Sequence, residues 1–184
     1  MYPMHRGGEQ RLSTRPAQGA ALRSADMDDA IVLGRPLSNE ARQAAVLMRK
    51  AHAERGQDRA ISAIPLYEEA VRLIRRNNDP VALAVALRHL GDAYREHGDL
   101  DYAQPCYDQS LTIYRALDDT PSLVLANILR PVALLHEARG ADDAAEAVWR
   151  EAQELFGEGG AQTAVEECGL HLMALATPRS SSAQ

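Results

Sequence analysis

Cysteine occurs twice in these 184 residues, at Cys106 and Cys168, with no CxxC pair. Neither a disulfide framework nor a zinc ribbon can be built from that, and a reducing compartment, the cytoplasm, is the expected location. Valine, isoleucine and threonine number 9, 6 and 5, against 32 alanines and 22 leucines, a profile that favours helices over sheets. Uncharged stretches such as 80–87 and 121–129 fall far below the roughly 20 apolar residues a membrane span requires, so no membrane partner is expected. Of 20 basic residues one, Lys50, is a lysine. With the alanine content this points to a GC-rich genome of bacterial type and says nothing of function. Twenty bases against 26 acids give a net charge of −6, which argues against nonspecific attraction to nucleic acid or anionic lipid.

The length predicts one domain with tails. Residues 1–36 read as a disordered extension: 1–25 hold four arginines and one acid, Gly7-Gly8, Pro3 and Pro16, without a sustained apolar period. No apolar run follows the arginines, as a secretory signal would need, and a solvated tail or a start at Met27 fits better than a transit peptide. At the other end 177–184 is a Pro/Ser tail, also expected to be disordered.

Between the tails, helix signals recur. Ser38, Asp79 and Thr120 stand where an N-cap oxygen would accept an orphan backbone N–H, and Pro80 and Pro121 follow at the first helical position. Each pattern runs to a glycine, Gly56, Gly98 or Gly140, suited to the left-handed residue that ends a helix. Those glycines are spaced by 42 and 42 residues, so the chain repeats itself. Leu83, Leu87, Leu90 and Tyr94 share one helical face; Leu100, Ala103, Tyr107, Leu111 and Tyr114 share another on the next helix. A shift of 40 turns the second set into Ala60, Ala63, Tyr67, Val71 and Ile74, and a shift of 42 the other way gives Ala145, Trp149 and Ala152. Three tandem helical hairpins are expected, with a kink at Pro131, which lies deep inside its helix.

Leu90, Gly91, Tyr94, Ala103 and Tyr107 resemble the signature of the tetratricopeptide repeat family. The first unit keeps Ala63, Tyr67 and Ala70, with Met48, Arg49 and His52 elsewhere; the third has Val132, Ala133, His136, Ala145, Trp149 and Ala152. The resemblance implies an all-α, right-handed α-solenoid over 37–176, with repeats at about 38–78, 79–119 and 120–157. A capping helix at 161–176 follows, in which Leu170, Met173 and Ala174 echo Leu87, Leu90 and Gly91, and Leu170, Leu172, Met173 and Leu175 close the end of the array. Units of 40 to 42 residues are similar to the long repeats of kinesin light chains and many bacterial proteins. The family's concave groove, carried onto this chain, is lined by Gln43, Leu47 and Lys50, then Val85, Arg88, His89, Asp92 and Arg95, then Asn127, Arg130 and Leu134. The resemblance does not extend to the clamp for chaperone tails, since no Asn stands at Lys50 or Asp92.

Phosphate-loop, HExxH, GxSxG and EF-hand patterns are absent from the sequence. Glu167, Cys168 and His171 are the nearest thing to a metal cluster, and they lack a second source of ligands. Cys106 reads as an inert packed thiol, His52 and His136 as half-polar filling between helices, and Asp118-Asp119 and Asp142-Asp143 as helix-start acids. The expected function is a non-catalytic protein- or peptide-binding scaffold or adaptor without cofactor. Arg88 and Arg130, 42 apart, would grip carboxylates of an acidic partner segment. A regulatory or peptide-sensing module acting through a transcription factor or kinase is the alternative, and a small enzyme or metal protein comes third. Self-association through the repeat ends is a further expectation.

Overall fold

The computed structural model describes residues 38–177. Seven helices follow one another: α1 (Asn39–Arg55), α2 (Ala60–Asn77), α3 (Pro80–His97), α4 (Leu100–Arg115), α5 (Ser122–Ala138), α6 (Asp142–Glu158) and α7 (Gln162–Ala176). Each packs on the next, and the described residues contain no strand. The disorder expected for 1–36 and for the tail beyond Thr177 lies outside the described residues.

Two of the three expected N-caps form. Ser38 accepts from the Ala41 N–H at 3.1 Å, and Asp79 Oδ1 from the Ala82 N–H at 2.9 Å, with Pro80 opening α3. Thr120 does something else: its hydroxyl donates to the Tyr114 and Leu117 carbonyls and so closes α4, leaving Pro121 to lead into α5. Gly98 and Gly140 take positive φ as expected, 94° and 69°, but Gly56 is right-handed at −65° and Asp58 carries the left-handed turn at φ 56°.

Asp58 reveals the register. Arg59 N–H bonds to the Glu54 carbonyl, Asp99 N–H to that of Tyr94, and Ala141 N–H to that of His136, the same turn three times at offsets of 40 and 42. The first hairpin therefore maps onto the second by 40 throughout. Ala51, fully buried, falls at the Gly91 place and Tyr67 at that of Tyr107. Gly56 and Gly98 are 42 apart in sequence without being equivalent, because the turn residue 40 before Gly98 is Asp58 and Gly56 stands two residues ahead of it.

Paired helices approach closely where the side chain is small. A Cβ on Gly91 would lie 2.6 Å from Cε1 of Tyr107, which is itself fully buried, and the Ser110 hydroxyl donates to the Ala84 carbonyl at 2.7 Å. Tyr94 does not share that space. It is half-buried, stacks on Tyr102 and donates to Glu68 of α2 at 2.6 Å, tying two hairpins together. Helix α5 runs through Pro131 unbroken, as α2 and α4 do through Pro65 and Pro105. Pro131 is buried among neighbouring helices, and that packing holds the helical path through the lost N–H.

At the far end Trp149 is fully buried in a cluster with Ala126, Leu129, Ala133, Ala145, Ala152, Phe156 and Cys168. Helix α7 covers it through Cys168, Val165, Leu172 and Leu175. Leu170 and Met173 take no part, being 66% and 67% exposed. The reason is again register: His89 stacks on Tyr67 (centroids 6.0 Å apart) and His171 on Trp149 (4.2 Å), both pairs being 82 apart in sequence. Helix α7 thus stands as another α3, with Leu170 at the Arg88 place, Leu172 at Leu90 and Met173 at Gly91, one residue away from the expected echo.

Candidate binding groove

The first helices of successive hairpins adjoin along one face. Arg55 of α1 reaches Asp92 and Glu96 of α3, and Arg130 of α5 reaches Glu167 of α7. Second helices are joined elsewhere by Arg75 to Gln109 and Arg115 to Glu151, each 2.6 Å.

At the centre of the first-helix face lies a buried polar network. The Tyr107 hydroxyl donates to Asp92 Oδ1 at 2.9 Å, while Arg55 and Arg88 stand 3.5 and 3.7 Å from Oδ2. His89 lies between two guanidiniums, with Arg88 3.0 Å from Nε2 and Arg55 3.3 Å from Nδ1, and Asp92 stands 3.7 Å from Nδ1. His52 packs edge-on to both Tyr67 and His89. Burial and the nearby Arg88 guanidinium bring the His89 pKa down to about 4, so the ring is neutral. Burial alone would raise Asp92, but the hydrogen bond from His89 and the charges of Arg88 and Arg55 outweigh it, bringing it down to about 2. Burial pushes the Tyr67 phenol up to about 12. This is the pattern of a satisfied ion network holding two hairpins in register.

The eleven residues expected to line the groove divide accordingly. Asn127 and Arg130 are exposed on this face, Leu134 is half-buried, and Arg88 and Arg95 are partly exposed. Val85, His89 and Asp92 are buried and face neighbouring helices. Gln43, Leu47 and Lys50 were placed two residues out of register: they occupy the places of Leu83, Leu87 and Leu90, which face other helices of the array. Lys50 is exposed because no hairpin precedes α1 among the described residues to cover that place. The first-hairpin residues that share this face are Met48, His52 and Arg55, none of them among the expected groove residues: Met48 and His52 were assigned to packing positions and Arg55 was given no role. The 40-residue spacing of Tyr67 and Tyr107 was the signal that could have found it.

Charge on the face is balanced. Arg55, Arg88, Arg95 and Arg130 meet Asp92, Glu96 and Glu167, and Glu137 faces His171, so the arginines expected to grip a partner are already paired within the chain. Glu137 Oε1 accepts from Trp149 Nε1 at 2.5 Å and lies 2.8 Å from His171 Nδ1. Glu167 pairs with Arg130, His171 with Glu137, and Cys168 is buried in the core, so these three side chains diverge. Among the described residues no group of three His, Cys, Asp or Glu could hold a metal, and no helix is long and apolar enough to cross a membrane. Burial raises the Cys106 thiol to about 11, away from nucleophilic character.

Stacked antiparallel helix pairs, a glycine-to-tyrosine contact within the pair and ionic ties along one face define an all-α helical-repeat protein. Residues 42–116 match the family model of the tetratricopeptide repeat, to which that stretch of the chain is similar. Two solved structures share the fold at 15% identity. The crystal structure of BtubC (BKLC) from P. vanneervenii superposes with a TM-score of 0.59, covering 82% of this chain and 72% of that one. The Sgt2 tetratricopeptide domain from Aspergillus fumigatus gives 0.54, covering 81% and 95%. No curated protein matches the sequence.

Proposed function

We propose that this protein is a non-catalytic interaction scaffold that holds a segment of a partner protein along the adjoining faces of α1, α3, α5 and α7. The family is one of protein-interaction modules, which supports the coarse reading. The observation that supports the finer one is the arrangement of the first helices: polar and charged side chains of α1, α3, α5 and α7 converge on one face. The partner segment bears acidic residues, and its recognition falls to Arg130, since Arg88 is committed to Asp92 and His89. A cytoplasmic setting accords with two free, buried thiols.

A photo-crosslinking amino acid at Asn127, compared with one at exposed Thr112 on α4, tests this in cells. Capture of a defined protein from position 127 that is lost on Arg130→Glu supports the reading. Capture from 112 with none from 127 moves the binding surface to the second helices and overturns it.

A further inference from the structure

We infer that Glu167 is a built-in stand-in for the partner's carboxylate, and that the α5–α7 end of the groove takes a segment in which an acidic side chain is followed closely by an apolar one. The inference rests on the groove reading above and deepens it. Arg130 donates to Glu167 Oε1 at 2.5 Å, and both side chains are open to solvent, at 45% and 34% exposure. The equivalent Arg88 holds a carboxylate too, but Asp92 is buried, cannot leave and cannot be replaced from outside. Arg130 therefore engages a carboxylate that solvent can reach and a competitor can displace, and unlike Arg55, which meets Glu96, it is not also tied to buried Asp92.

The surroundings define what accompanies that carboxylate. Leu170 follows Glu167 by three residues on α7, so it lies on the same face, and it is 66% exposed. Leu134 follows Arg130 by four on α5 and is half-buried. An acid that replaced Glu167 would carry its neighbouring side chain onto these two leucines. Displacement need not unfold α7, which is anchored separately by Cys168, Val165 and Leu172 against the Trp149 cluster and by His171 on Glu137. Glu167 then acts as a weak internal competitor, which sets a threshold for binding and discriminates against segments with a carboxylate but no apolar neighbour.

The probe is a fluorescein-labelled peptide of alternating glutamate and leucine, with a glutamine-for-glutamate control, titrated against the full chain by anisotropy at low salt. Because an exposed ion pair is worth about 0.2–1 kcal/mol, Glu167→Gln should tighten binding of the glutamate probe roughly 1.5- to 5-fold. Arg130→Ala should weaken it, and Leu170→Gln should weaken it by at least twofold, with melting curves of all three variants close to wild type. Binding that depends on Arg130 but is unchanged by Glu167→Gln would overturn the stand-in while leaving the groove reading in place. Absence of binding to wild type and Glu167→Gln alike, or binding indifferent to Arg130→Ala, would overturn both.

Discussion

The ring of Tyr107 occupies the space a side chain on Gly91 would need, with Cε1 and Cδ1 at 2.6 and 2.8 Å from that Cβ position. Tyr107 is fully buried and its hydroxyl is fixed on Asp92, so the ring has nowhere to move. Gly91→Ala should destabilise the protein by about 1–3 kcal/mol through overpacking, read as a lower midpoint in urea. A midpoint equal to wild type would show that α3 and α4 can separate at no cost.

Acid should weaken the array in two stages. His89 titrates near 6.5 when unfolded but near 4 in the fold, so the unfolded chain binds the extra proton and stability falls as pH drops through that window. The loss is of the order of 3 kcal/mol across the whole window. Asp92 then contributes stability that is present above 3.8 and is lost as pH falls through about 2. Melting temperatures of wild type and His89→Gln between pH 7 and 4 check the first stage: the variant should show the flatter profile, and parallel profiles would exclude His89 as its source.

Asp58 carries a left-handed conformation that L-residues adopt at a cost of about 1–2 kcal/mol. Asp58→Gly removes that strain and returns part of it as chain entropy, for a net gain of about 0.5–1 kcal/mol. Gly98→Ala, at φ 94°, should have the opposite sign. Thermal melts of the two variants side by side test the pairing.

One tryptophan, Trp149, lies under α7, stacked on His171. Truncation after Ala161 would uncover its cluster, and its emission should shift to the red while the protein becomes prone to aggregate. Unchanged emission from the truncated chain would mean that α7 does not shield the indole.

Much of this was open to reading from the sequence, because its signals are local. Ser38 and Asp79-Pro80 start helices by hydrogen bonds three residues long, and the apolar period of 3.6 marks the faces to be buried. The spacing of Tyr67, Tyr107 and Trp149 counts the hairpins. Small residues at 91, 103 and 110 mark where helices meet, since close approach demands them whatever the surroundings.

Tertiary structure decided what depends on partners distant in sequence. Gly56 looks like a helix stop, yet the left-handed residue of that turn is Asp58, 40 rather than 42 before Gly98, which moves every candidate on α1 by two positions. Thr120 resembles an N-cap, but its hydroxyl donates instead to the Tyr114 carbonyl. Leu170 and Met173 are apolar and were expected to cover; a one-residue change of register on α7 turned them outward. Above all, the groove arginines expected to grip a partner's carboxylates already stand in ion pairs within the chain. Arg55 with Asp92 and Arg130 with Glu167 are 37 residues apart in each case, and only stacking brings them together. Residue type announces a charge locally, whereas whether that charge remains available is set by the helices the fold places beside it.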